Sequence, residues 1–100
     1  MDRMIGQDVS GVEYDSDGLH VNLGPSYWLS IFNKFELSVG NDGSVNNLIG
    51  AKLLNFVQGK DEFVVEFDSN RSLRISLLPE DYSGPEAANF FGPSGEVAVL

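Results

Sequence analysis

The chain has no cysteine. That excludes a disulfide framework, a thiolate nucleophile and any thiolate metal site, and leaves core packing as the source of stability. Cationic side chains are also scarce, with six Lys and Arg against fifteen Asp and Glu and a formal net charge of −9. Such a surface repels phosphate backbones and anionic lipid and steers cationic partners towards it. Neither nucleic acid nor a membrane is therefore expected as a ligand. No stretch approaches the roughly 18 consecutive apolar residues of a membrane span, and residues 1–9 lack the apolar run of a signal peptide. On this reading the protein is cytosolic. Glycine-rich phosphate loops and a nucleophile-elbow pattern are missing as well.

What is present is bulk. Hydrophobic residues make up 42% of the 100 residues, including seven Phe, three Tyr and one Trp. A disordered chain of low hydrophobicity is thereby excluded despite the charge. The length suits one domain, 1–100, with room for a single core.

An internal repeat with an offset of 44 residues organises the chain, relating 4–32 to 48–76 without a gap. Ile5-Gly6 recurs as Ile49-Gly50, Asp17 as Asp61, Val21 as Val65, Leu29 as Leu73 and Ile31 as Ile75. Apolar class is kept at Met4/Leu48, Val9/Leu53, Val12/Phe56, Leu19/Phe63 and Leu23/Phe67. Within each copy the spacing is that of half-buried strands: Leu19, Val21 and Leu23 share one face and His20 and Asn22 the other. Phe63, Val65 and Phe67 repeat the pattern, as do Leu29 with Ile31 and Leu73 with Ile75. Turn residues at Asp15-Ser16-Asp17-Gly18, Gly24-Pro25-Ser26 and Asp68-Ser69-Asn70-Arg71 separate these runs, as tight connections require. Each copy is thus expected to be a three-stranded meander.

A further strand from Phe35 to Val39 should end at the turn Gly40-Asn41-Asp42-Gly43. After a loop over 80–85, Gly92-Pro93-Ser94-Gly95 closes a C-terminal hairpin over 86–100. Residues 86–91 suit either a helical turn or a strand, and the strand is favoured; residues 44–57 could form a helix, which the repeat argues against. The expected fold is mainly β, an antiparallel sandwich or partly open barrel of about eight short strands built from two repeated three-stranded meanders, with little helix.

Candidate chemistry is sparse. His20 is the lone histidine and is assigned no partner on the solvent face of its strand. Asp15-Ser16-Asp17-Gly18 opens like a calcium loop but lacks the distal bidentate Glu, and a hairpin turn selects the same residues. No cofactor, metal site or catalytic residue is expected, and the chain does not read as an enzyme. The remaining signals are charge and aromatic surface. Glu13, Asp15 and Asp17 surround the first hairpin turn, Asp61, Glu62, Glu66 and Asp68 occupy the corresponding strand and its ends in the second copy, and Glu80, Asp81 and Glu86 form a third group. Trp28 and Phe32 share the outward parity of Ser30, where the other sheet either covers them or leaves them as an adhesive patch.

Small size, acidity, the absence of cysteine and a strand-rich text with Trp-Leu-Ser-Ile-Phe at 28–32 and Gly-Glu-Val-Ala-Val-Leu at the end carry a resemblance. The chain resembles the small acidic cytosolic immunity proteins of bacterial contact-dependent growth inhibition and related polymorphic toxin systems. The resemblance implies a function class: an inhibitor that neutralises a basic toxin domain, such as a nuclease, in a 1:1 complex, the protein being a monomer or heterodimer. The partner-binding residues expected from the charge and aromatic pattern are Glu13, Asp15, Asp17, Asp61, Glu62, Glu66, Asp68, Trp28 and Phe32. A small assembly domain using an edge strand, or a ligand-binding β-barrel, is the alternative.

Overall fold

A computed structural model describes residues 2–38, 44–82 and 84–100. Its strands are β1 (Val9–Asp15), β2 (Gly18–Leu23), β3 (Tyr27–Ile31), β4 (Phe35–Ser38), β5 (Leu53–Gln58), β6 (Glu62–Phe67), β7 (Ser72–Ser76), β8 (Ala88–Gly92) and β9 (Gly95–Val99). They form a five-stranded sheet in the order β1-β2-β3-β8-β9 and a four-stranded sheet in the order β4-β7-β6-β5, all pairs antiparallel. The molecule is a β-sandwich with little helix, and the sheets do not close into a barrel. Short 3-10 turns at Asp2–Met4, Val45–Leu48 and Pro79–Asp81 supply the helical content of the described residues.

Each meander lies in its own sheet, and each copy's fourth strand crosses to the other. β4 follows β3 in sequence but pairs with β7, while β8 follows β7 and pairs with β3. Registers match at the 44-residue offset: Val21 faces both Val12 and Leu29, as Val65 faces Phe56 and Leu73. Bulges fall at equivalent places, between Val9 and Gly11 in β1 and between Leu53 and Asn55 in β5. The two copies clasp each other reciprocally. Gly6 N donates to Leu53 O at 2.7 Å and Gly50 N to Val9 O at 2.8 Å, while Val9 N reaches Ala51 O and Leu53 N reaches Gln7 O. Gly6 and Gly50 hold φ of 90° and 88°, a region closed to most side chains. Their repetition in the sequence thus has a backbone cause.

The core is the pair of inner faces. Leu19, Val21, Leu23, Leu29 and Ile31 pack against Phe63, Val65, Phe67, Leu73 and Ile75, all buried. Phe63 bridges the sheets to Phe90 with centroids 5.7 Å apart, and Phe56 meets Phe90 edge-on at 5.6 Å. Burying a side chain of this size stabilises by about 1.5–3 kcal/mol.

Details of the sequence reading differ at the margins. Residues 86–91 contribute a strand, and 44–57 hold a 3-10 turn followed by β5 in place of a helix. Val39 and the expected turn over 40–43 lie outside the described residues. The loop over 80–85 is partly the 3-10 turn Pro79–Asp81.

Candidate functional site: an acidic end and an aromatic face

The β1–β2 hairpin closes at Asp15 facing Gly18, next to Leu19 facing Ile31. From Ile31 only residues 32–34 intervene before Phe35, which faces Ile75 beside Phe63. Three connecting residues span at most about 14 Å. Both hairpin tips, 15–18 and 59–62, therefore sit at the same end of the sandwich. The second crossover lies there too, since Phe32 N donates to Ala87 O at 2.8 Å, Ser76 N to Lys34 O at 2.9 Å and Leu77 N to Asp61 O at 2.9 Å.

This geometry gathers carboxylates that are far apart in sequence. Glu36, Asp61, Glu62 and Asp81 line a hollow of about 280 Å³ together with Lys34, Arg74 and Ser76. Ser76 Oγ donates to Asp81 Oδ2 at 2.5 Å, anchoring the crossover to β7. Asp17 and Glu86 flank Phe32 and Pro85 around a notch of about 370 Å³. Asp15 is held by its own turn, where its Oδ1 accepts from Asp17 N at 2.8 Å, the Asx geometry that Asp offers a tight loop. Glu13 is exposed on β1 opposite His20.

Glu66 and Asp68 lie elsewhere, at the far end of β6 near the Lys52–Asp8 bridge between the copies. Asn55 Nδ2 approaches Glu66 Oε1 at 3.5 Å. Asp68 Oδ1 accepts from Lys52 N at 3.1 Å and from Arg71 Nη2 at 2.6 Å. The Lys52 amide and, next, the Arg71 guanidinium hold this carboxyl below its ordinary value, with desolvation opposing. Arg71 also donates to Asn47 O and Asp68 O, tying the turn before β7 to the Val45–Leu48 segment. Asp68 therefore has an internal role in addition to its surface charge.

Trp28 occupies the outer side of the five-stranded sheet, as its parity requires, whereas Phe32 follows β3 in the crossover and lines the notch with Asp17, Pro85 and Glu86. The other sheet does not cover Trp28, which is 39% exposed and stacks on Phe91 at 5.0 Å with an interplanar angle of 15°. Phe32 is half-buried. Beside the aromatic pair runs a cross-strand row, Glu13–His20–Ser30–Asn89.

His20 corrects the reading that gave it no partner. It is half-buried, its Nδ1 lies 2.9 Å from Ser30 Oγ and its Nε2 lies 3.6 Å from Asp15 Oδ1. Asp, His and Ser in line invite comparison with a nucleophilic triad. Ser30, however, is 8% exposed and lies mid-strand in β3, which is paired on both sides. Its neighbouring N–H groups are committed to the ladders, which leaves no donor pair for an oxyanion. The arrangement satisfies a buried hydroxyl and orients an imidazole on the sheet surface.

The His20–Ser30 pair was within reach of sequence reasoning. A β2–β3 turn centred on Pro25 pairs residues symmetrically about it, and 20 and 30 are equidistant. Phe91 carried no such signal, because the β8 register against β3 comes from a long-range contact. Comparison of the chain with protein-family models, with curated proteins and with solved structures finds no match.

Proposed function

We propose that this chain is a non-enzymatic, cytosolic binding protein that neutralises a basic protein partner, such as a nuclease toxin domain, in a tight 1:1 complex, as an immunity protein does. The observation that carries this reading is the gathering of Asp15, Asp17, Asp61, Glu62, Asp81 and Glu86 at one end of the sandwich through both hairpin tips and both crossovers. These carboxylates outnumber Lys34, Lys60 and Arg74 at the same end, and on a molecule of net charge −9 that excess creates a directional field. Such a field raises the rate of encounter with a cationic surface and orients it. A nuclease toxin domain is typically basic because it must hold phosphates, so an acidic inhibitor presents to it what its substrate would.

The test begins by capturing the partner from the source cell and weighing the complex by analytical ultracentrifugation. A basic protein bound 1:1, with an association rate that falls steeply between about 50 and 500 mM salt, supports the reading. An acidic or neutral partner, or a rate indifferent to salt, overturns it.

A further inference from the structure

The repeat supplies an internal control for the surface. Outer positions of the two sheets can be compared one by one, because the inner faces hold them in the same register. At the 44-residue offset Trp28 and Phe32 correspond to Ser72 and Ser76. For the exchanged fourth strands, Phe35 opposite Ile75 matches Ala88 opposite Ile31, so Phe91 corresponds to Ser38. Trp28 and Phe91, on the outer face of the five-stranded sheet, and Phe32 just beyond β3 thus stand where the second copy or its exchanged strand has serine. The fold itself does not need these rings, since the equivalent positions build the same sheet without them. Of these rings Trp28 is exposed and stacks on the half-buried Phe91, and aromatic residues are enriched on contact surfaces.

Charge on the same sheet names the kind of partner. The chain's six cations are Arg3, Lys34, Lys52, Lys60, Arg71 and Arg74, and no strand of the five-stranded sheet carries one. The face runs from the Trp28–Phe91 stack, across His20 and Ser30, to Phe32 and the carboxylates of Asp17 and Glu86. With a net charge of −9, a second copy of the chain would be repelled from it. The nearly parallel rings present π surface to a planar cation. A guanidinium is planar and weakly hydrated and stacks on aromatic faces, whereas an ammonium is a compact, strongly hydrated charge.

Resting on the function proposed above, we propose that the outer face of the five-stranded sheet is the docking surface for arginine side chains of the basic protein partner, with Trp28 and Phe91 as the stacking platform. The acidic end steers the partner in, and this face reads arginine in preference to lysine.

Octa-arginine and octa-lysine, equal in length and charge and each fluorescently labelled, serve as probes. They are titrated at low salt onto the native chain and onto W28S, F91S and V57S, the last removing an exposed apolar residue from the other sheet. Circular dichroism and urea midpoints check that each variant is folded. Octa-arginine should bind about fivefold tighter than octa-lysine, and emission from Trp28, the one tryptophan, should change with it. That preference should vanish in W28S and F91S and persist in V57S. A preference unchanged in all variants, no preference, or a Trp28-dependent dimer in sedimentation overturns the inference. If both peptides bind equally and D15K/D17K weakens both, the acidic-end reading survives and the face assignment alone falls. If neither peptide binds, both fall.

Discussion

The two sheets match inside and diverge outside. Leu29 and Leu73, Ile31 and Ile75, Val21 and Val65 are buried equivalents in one core, and even the bulges of β1 and β5 coincide. On the outside, Trp28, His20 and Phe91 of one sheet correspond to Ser72, Val64 and Ser38 of the other. Inner positions are restricted by close packing, where a change of one methylene is felt. Outer positions are free of that restriction, so their differences report what the two surfaces do. The four-stranded sheet carries Arg74 among Glu36, Glu62 and Glu66, an ordinary solvated mixture. The five-stranded sheet carries aromatics and acids without a cation.

The largest expected effects test the inner match. Leu29→Ala and Leu73→Ala should each cost about 2–5 kcal/mol, and their urea midpoints should fall by similar amounts. If one is nearly neutral, the two halves of the core are not equivalent.

Next in size is a place where the copies differ. Gly18 closes the first hairpin at φ 139°, and a Cβ there would collide with the Ile31 carbonyl oxygen; its counterpart is Glu62. Gly18→Ala should cost about 1–3 kcal/mol, read from thermal unfolding. Gly84→Ala, with open space around it, serves as a control expected to stay within about 0.5 kcal/mol.

His20→Ala should cost about 1 kcal/mol, because it strips the buried Ser30 hydroxyl of its partner. Val64→Ala at the equivalent outer position tests whether that loss is specific to the hydrogen bond. An equal change in both would reduce His20 to a packing residue.

Asp68 sharpens the comparison at the other end of the sandwich. Gly24 and Asp68 are equivalent, and their N–H groups donate alike to Asp8 O and Lys52 O. Only Asp68 adds a carboxylate that accepts from Lys52 N and Arg71. Because its folded value lies below the unfolded one, its stabilisation is complete above the unfolded value and is lost as pH falls through the folded value. Asp68→Asn should therefore lower stability near neutral pH and flatten its decline in acid, measured as urea midpoints from pH 7 to pH 2. An unchanged acid limb would remove Asp68 from the account.

Much of this fold was legible because strand parity and turn chemistry are local. Leu19-Val21-Leu23 and Asp15-Ser16-Asp17-Gly18 announce a hairpin without reference to anything distant. The exchange of β4 and β8 between sheets was not legible, since neither the alternation of Phe35-Glu36-Leu37-Ser38 nor residues 86–91 says which strand lies alongside. That exchange decides which carboxylates meet. Asp17 and Asp61 are equivalent in sequence, yet only the crossovers at 32–34 and 77–87 show that their tips share an end, and that Glu66 and Asp68 belong to the other.

The central claim is that position, and not charge alone, makes the acidic end the approach surface. Asp17→Lys and Glu66→Lys alter net charge equally at opposite ends of the molecule. Each should change stability by only about 0.5 kcal/mol, so stopped-flow association with the captured basic partner isolates location. The account predicts that at low salt Asp17→Lys slows association several-fold and Glu66→Lys hardly at all, with the difference collapsing as salt rises. Equal slowing by both substitutions would contradict it.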